Sequence, residues 1–190
     1  MKRAFDFCWA LVCLILFSPL FLMCYIAIRL EDGGPAFFHQ ERIGKGGKPF
    51  DILKFRSMTT DGNRDEYALF KHEKNDNLTR VGRFLRDHHL DELPQLWNVL
   101  KGDMSFVGPR PERKYYIDLI MEQDPRYERL YQLRPGVTSY ATLHNGYTDT
   151  MEKMLIRLEM DLYYLEHQSL MLDLKILGQT FLYIAFGKKF

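Results

Sequence analysis

Twenty-two consecutive residues, Phe7 to Ile28, carry no charge, and as a helix that length meets the requirement for crossing a bilayer core. Lys2, Arg3 and Asp6 precede the run, and Arg29, Glu31 and Asp32 follow it. A secretory signal peptide fits poorly, because the run is long and no small-x-small cleavage site follows it. Lipoprotein processing fails as well, since the bulky Met23 stands before Cys24. Two readings remain open. A single spanning helix tolerates the central Ser18-Pro19 if neighbours satisfy the freed carbonyl. A re-entrant helix-break-helix uses that proline as the break and suits basic residues at both ends, which give the positive-inside rule no direction to choose.

The remainder has room for one domain, so we divide the chain into a membrane-anchoring segment, 1-31, and a membrane-associated domain, 32-190. Basic and acidic residues nearly balance, 26 against 25, which leaves no global field to attract nucleic acid. The three cysteines, Cys8, Cys13 and Cys24, lie within the apolar stretch and read as buried reduced thiols, without zinc-site or disulfide spacing.

The turn Asp32-Gly33-Gly34-Pro35 opens the polar part. Ala36 to Ile43 and Phe50 to Met58 flank Gly44-Lys45-Gly46-Gly47-Lys48 and predict a β-hairpin. A phosphate loop would need a Gly-Lys-Ser/Thr ending and a following helix, which this loop lacks. Asp61 to Asn77 reads as an exposed loop or short helix. Thr79 caps a helix to Asp87, with Arg80, Arg83 and Arg86 near one face. Leu93, Leu96, Trp97 and Leu100 recur at helical spacing and Gly102 stops the run. Further helices are expected over Glu112 to Gln123 and along Met151, Met154, Leu155, Leu158, Leu162 and Leu165. Leu170 to Phe186 is apolar but interrupted by Asp173 and Lys175, which suits a helix packed under the domain or lying in the membrane interface, with Lys188 and Lys189 at the headgroups. No internal repeat is present. The expected class is mixed α/β, mainly α: an apolar N-terminal helical segment, spanning or re-entrant, a small hairpin or sheet, and amphipathic interfacial helices around a compact domain.

The chemistry concentrates between Leu90 and Pro111. Pro94 is best tolerated in a first helical turn, so Asp91 and Glu92 fall at or just before a helix N-terminus, where free amides and the dipole favour anions. Asp91 as a plain N-cap explains its own position equally well. Neighbouring carboxylates point in different directions, so one can attack while the other helps hold a divalent cation. A glycosidase would instead need two carboxyl groups facing each other across a sugar. Arg86 lies upstream of the pair, and Arg110 is braced by Pro109 and Pro111, which lowers the entropy cost of presenting a guanidinium to an anion. Lys54 and Arg56, two apart on the second strand, are predicted to share a face, a pattern that a charged edge strand also explains. His88 and His89 lack metal-ligand spacing and read as ordinary polar residues. These residues point to phosphate chemistry at a membrane and leave the donor open.

The series Lys54-Phe55-Arg56-Ser57-Met58, Leu90-Asp91-Glu92-Leu93-Pro94-Gln95, Lys101-Gly102-Asp103-Met104-Ser105, Gly108-Pro109-Arg110-Pro111 and Arg134-Pro135-Gly136-Val137-Thr138 resembles the bacterial sugar transferases, specifically the small monotopic phosphoglycosyl transferases. The likeness runs from Lys2 to about Ile184. It implies a re-entrant segment broken at Ser18-Pro19 and an active site on the cytoplasmic face of the bacterial inner membrane, in contact with membrane lipids. It implies transfer of a sugar-1-phosphate from a UDP-sugar to polyprenyl (undecaprenyl) phosphate with release of UMP, as the first membrane step of glycoconjugate synthesis. In that scheme Asp91 is the nucleophile and forms a covalent phosphosugar adduct. Glu92 shares Mg2+ with it, and Arg86 orients the pair and binds phosphate. Arg110 contacts the nucleotide and Arg134 a phosphate, with Lys54, Arg56, Pro109 and Pro111 completing the substrate site. The chain departs from the commonest family pattern at Ser139 to Gly146, where many members have Gly-Trp-Ala-Gln, so the sugar stays open. A minimal catalytic unit is expected, with a homodimer among the allowed states. The competing classes are a membrane-anchored lipid-binding scaffold and a phosphatase acting on lipid diphosphates.

Overall fold

A computed structural model describes residues 2–59, 77–146, 148 and 150–186; the expectation for Asp61 to Asn77 and the headgroup role of Lys188 and Lys189 lie almost wholly or wholly outside it. The apolar segment forms two helices, α1 (Lys2–Leu16) and α2 (Ser18–Asp32), bent by 61°. Pro19 occupies the first turn of α2, where its missing amide costs nothing, and Ser18 Oγ donates to the Ile15 carbonyl at 2.8 Å. Among the described residues no single helix is long and apolar enough to cross a membrane, whereas the bent pair meets that test by length and composition.

Strands β1 (Phe37–Ile43) and β2 (Pro49–Phe55) pair antiparallel, Phe37 opposite Phe55 and Ile43 opposite Pro49. The glycine-lysine segment is the turn between them, with Gly46 and Gly47 at φ near +70°. Then come α3 (Arg80–Asp87), a 3-10 turn over Leu90–Glu92, and α4 (Gln95–Lys101). Thr79 caps α3 by accepting from the Gly82 amide at 2.8 Å. Beyond α4, β3 (Ser105–Val107) runs parallel to β4 (Gly136–Thr138), with α5 (Lys114–Gln123) and 3-10 turns over Pro125–Gln132 between them. Two parallel strands need such a crossover, and strands this short carry no periodicity by which sequence could find them. Helices α6 (Tyr140–Asn145), α7 (Met151–His167) and α8 (Leu170–Ala185) close the chain. The class is mixed α/β and mainly helical, as expected.

The main core joins Ala10 of α1 to Leu96 and Val99 of α4, Phe106 and Val107 of β3, Tyr164 of α7 and Ile176 of α8. The first turn of α1 is therefore inside the domain. Lys2 Nζ donates to the Val107 carbonyl and the Tyr164 hydroxyl, each at 3.0 Å, and pairs with Asp173 at 2.5 Å. Arg3 donates to the Val99 and Leu100 carbonyls at the C-terminal end of α4, and the buried Asp6 accepts from Ser105 Oγ at 2.9 Å. Residues that read from sequence as flanking topology signals are thus ligands of the domain. The opposite surface of the pair is apolar and open: Trp9, Val12, Ile15, Leu16, Leu22, Met23 and Leu30 are exposed.

Although Trp97 shares the helical spacing of Leu96 and Leu100, it is 51% exposed, because the short helix is covered by α1 on one flank and β2 on another and leaves its third face open. One expectation is corrected. The cysteines are free, but only Cys24 is buried, while Cys8 is exposed on the outward face of α1.

Candidate active site

The chain turns sharply between α3 and α4. His89 adopts a left-handed conformation, φ 55°, uncommon outside glycine and a frequent companion of functional sites. That reversal puts the Asp91-Glu92 turn beside the end of α3 and just before α4, as the position of Pro94 implied, with Pro94 and not Asp91 at the N-cap of α4. Asp91 is buried and Glu92 half-buried.

Lys54, near the end of β2, pairs with Glu92, Nζ to Oε1 at 2.6 Å. What brings this strand to that helix is Asn98, a residue sequence reasoning passed over. Its buried side chain accepts from the Leu53 amide at 2.9 Å and donates to the Asp51 carbonyl at 2.7 Å. The amide thus completes the open edge of β2 and fixes its register against α4. A polar residue beside Leu96 and Val99 on the buried side of a short helix was the available signal.

The electrostatics split the two acids. Burial pushes the Glu92 carboxyl up, but Lys54 and then Arg110 outweigh it and hold the group at about 2. Asp91 moves the other way: burial first, then the adjacent Glu92 charge, raise it, against Lys54, Arg86 and His89. Such divergence between neighbouring titratable groups is how one site assigns them different roles.

Arg86 donates through Nε to Ser57 Oγ at 3.1 Å, and its Nη2 lies 3.6 Å from Met58 Sδ, so the end of α3 is held to the segment after β2. Gly82 permits this contact, since a Cβ there would stand 2.0 Å from the Ser57 carbonyl oxygen. Arg110 is 44% exposed, faces Glu92 electrostatically and lies 3.9 Å from Glu112. Its loop is held from both sides: the Pro109 carbonyl accepts from the Gly136 amide at 2.8 Å, and the Pro111 carbonyl from Arg42 Nη1 at 3.1 Å.

Two expected substrate ligands are engaged in contacts within the protein. Arg56 does not share a face with Lys54, because β2 ends at Phe55 and the chain turns. Its guanidinium is buried and bidentate on Asp32 at the end of α2, and Nε donates to the Pro35 carbonyl at 2.6 Å. Arg134 donates through Nε to the Gly102 carbonyl at 2.8 Å and ties the end of α4 to the turn before β4. The arrangement that remains is an acidic pair bordered by Lys54, Arg86 and Arg110, suited to holding and attacking a phosphate ester.

Fold and site together define a small α/β protein with a carboxylate pair among cations beside a bent apolar helix pair. The chain belongs to the bacterial sugar transferase family, whose model matches residues 1–187. It is 45% identical over 181 residues to a UDP-glucose:undecaprenyl-phosphate glucose-1-phosphate transferase of Caulobacter vibrioides, covering 94% of this chain and 67% of that protein. It is 40% identical over 187 residues to the UDP-N-acetylgalactosamine-undecaprenyl-phosphate N-acetylgalactosaminephosphotransferase of Aeromonas hydrophila, covering 98% of this chain and 44% of the relative. It is 38% identical over 190 residues to the exopolysaccharide production protein PSS of Rhizobium leguminosarum bv. phaseoli, covering 95% and 92%. The chain thus spans less than half of the Aeromonas relative.

Proposed function

We propose that this protein transfers a sugar-1-phosphate from a UDP-sugar to undecaprenyl phosphate, releasing UMP. The observation that carries the proposal is the Asp91-Glu92 turn with Lys54 on Glu92 and Arg86 and Arg110 beside it. The names of the relatives, which act on UDP-glucose or UDP-N-acetylgalactosamine and undecaprenyl phosphate, supply the substrate class.

In the first step an Asp91 carboxylate oxygen attacks the phosphorus that bears the sugar. The bond from that phosphorus to the oxygen bridging the two phosphates breaks, and UMP departs with the electron pair. In the second step a phosphate oxygen of the lipid attacks the same phosphorus and the Asp91 oxygen leaves, which restores the carboxylate. Two displacements let two unlike substrates use one site in turn. Lys54 and Arg110 keep Glu92 ionised, while Lys54, Arg86 and His89 oppose, without cancelling, the burial and the Glu92 charge that raise Asp91. Positioning and charge neutralisation are the main requirements of phosphoryl transfer.

Two adjacent carboxylates next to a phosphate site fit Mg2+, which takes one or two carboxylates and completes its shell with water and phosphate oxygens. Among the described residues no cluster of three or more metal-binding side chains exists, and Glu92 Oε1 already pairs with Lys54, so the protein itself offers few ligands. Asp91 and Glu92 would hold it, and it would neutralise diphosphate charge.

The bent α1–α2 pair enters and leaves the membrane on one face in this reading. Both of its ends are tied to the same domain: Lys2, Arg3 and Asp6 at the start, and Asp32 on Arg56 with Glu31 on the Arg80 amide at the end. Two 15-residue helices of about 22 Å each, inclined symmetrically about the 61° bend, make a wedge at most about 11 Å deep, less the first turn of α1 that the domain holds. That is roughly a third of a 30 Å hydrocarbon core. The exposed apolar side chains of α8, among them Leu170, Met171 and Phe181, would rest on the same membrane surface, the cytoplasmic face of the inner membrane.

The test is UMP release from a panel of UDP-sugars with undecaprenyl phosphate. Wild-type protein releases UMP with at least one donor. Asp91→Asn loses turnover and the covalent phosphosugar adduct seen by mass spectrometry, with its melting temperature kept. Release by Asp91→Asn at the wild-type rate overturns the assignment of the nucleophile.

A further inference from the structure

Behind the Pro109-Arg110-Pro111 loop lies a buried charge cluster that the reaction does not use directly. Glu112 is at its centre. Arg157 of α7 donates to Glu112 Oε1 through Nη1 at 3.1 Å, Arg42 at the end of β1 places Nη1 3.9 Å from Glu112 Oε2, and Arg110 Nε lies 3.9 Å from Glu112 Oε1. One carboxylate thus faces three guanidinium groups from three parts of the chain. The side chains of Arg42, Arg157 and Glu112 are 14%, 10% and 13% exposed, against 44% for Arg110.

The backbone reinforces the arrangement. The Glu112 carbonyl accepts from the Ile43 amide at 3.1 Å, and Arg42 holds the Pro111 carbonyl while its Nη2 donates to Gln40 Oε1. Arg157 also reaches the Gly146 carbonyl at 3.4 Å. One turn along α7, Asp161 is buried within electrostatic reach of Arg157. Breaking up a carboxylate and two guanidinium groups this far from water is costly, so Glu112, hydrogen-bonded to Arg157 and close to Arg42, is held in place, although Arg42 Nε, Arg157 Nε and Asp161 Oδ1 are buried without a hydrogen-bond partner among the described residues.

We propose that Glu112 is a positioning residue for Arg110. Arg42 and Arg157 immobilise its carboxylate, and the carboxylate in turn sets where the exposed Arg110 guanidinium stands between Glu112 and Glu92. Without the negative charge at the centre, Arg42 and Arg157 repel Arg110 and its head group swings away from the acidic pair. Glu112 touches no substrate and acts only through Arg110. The inference rests on the reading of Arg110 as a ligand of the UDP-sugar.

The experiment measures KM for the UDP-sugar, KM for undecaprenyl phosphate, kcat and melting temperature in Glu112→Gln, Arg157→Lys, Arg110→Ala and the double variant Arg110→Ala/Glu112→Gln. Arg157→Lys keeps a cation near Glu112 and serves as the milder variant if Glu112→Gln folds poorly. Positioning predicts that Glu112→Gln raises KM for the UDP-sugar about tenfold, the size expected when one hydrogen bond to a charged group is lost, with KM for the lipid phosphate unchanged. Arg157→Lys gives a smaller rise in the same constant. In the Arg110→Ala background Glu112→Gln has no further effect on that KM. A merely structural Glu112 would lower the melting temperature and the active fraction without moving KM, and its effect would persist in the Arg110→Ala background. Either result overturns the proposal. An Arg110→Ala variant with wild-type KM also overturns it. Absence of UMP release by the wild-type protein is a separate outcome that removes the proposed activity itself.

Discussion

Arg56→Ala separates two roles for a residue that sequence reasoning places among the substrate ligands. In the structure it is a strap between the end of α2 and the catalytic domain, with two hydrogen bonds to Asp32 and one to the Pro35 carbonyl. Its own amide also donates to the Ala36 carbonyl at 2.9 Å, a bond that alanine keeps. Breaking a buried ion pair costs about 3–5 kcal/mol, an exposed one about 0–1. Here the Arg56 side chain is 4% exposed and that of Asp32 30%, so the loss falls between these limits, about 3 kcal/mol. For a chain of this size that is roughly a 6–12 °C fall in melting temperature, read by thermal unfolding in detergent micelles or nanodiscs. Asp32→Ala should cost a similar amount, and the double variant little more than either single one, since both remove the same contact. The reasoning is refuted if Arg56→Ala melts with the wild type while KM for the UDP-sugar rises, and Asp32→Ala is silent. That pattern would return Arg56 to the substrate site.

Lys54→Met should raise both acids, because Lys54 opposes burial at Glu92 and at Asp91. Glu92 is depressed in the folded protein, so its contribution to stability is complete above the unfolded value of about 4.3 and is lost as pH falls through about 2. In the variant the lower edge of that window moves up toward the unchanged unfolded value, so the contribution shrinks, and the acid limb of the pH–rate profile should move up; an unmoved limb would detach Lys54 from the carboxylates. Asn98→Ala leaves the Leu53 amide and Asp51 carbonyl without their partner, at about 3 kcal/mol for two such groups, and should lower kcat by displacing Lys54. Wild-type kcat in a destabilised Asn98→Ala would show that the strand register does not govern the site. Gly136→Ala places a Cβ 2.1 Å from the Gly108 amide nitrogen, and the resulting overpacking of about 1–3 kcal/mol should separate β3 from β4. Soluble expression with an unchanged melting temperature would contradict that close approach.

Local pattern made much of the molecule legible. Composition and the Ser18-Pro19 break set out the helix pair, strand alternation around a glycine-rich turn set out β1 and β2, and apolar spacing set out α4, α7 and α8. Pro94 put Asp91 and Glu92 ahead of a helix, where the structure has them. These features follow from interactions within a few residues, which sequence order preserves. Pairings between distant segments are another matter. The chain alone could not say that Arg56 would take Asp32, that Asn98 would lock β2 to α4, or that Glu112 would gather arginines from β1, from its own loop and from α7.

Lys2 and Arg3 show the division most clearly. By sequence they are basic flanks of an apolar run; in the fold they grip Val107, Val99 and Leu100, next to the elements that carry Arg110 and the acidic pair. Charge and hydropathy belong to each residue and determine which groups can pair. Which of the available partners each one takes depends on how the helices and strands pack, because a buried charge is tolerated only where the tertiary structure supplies its counterpart.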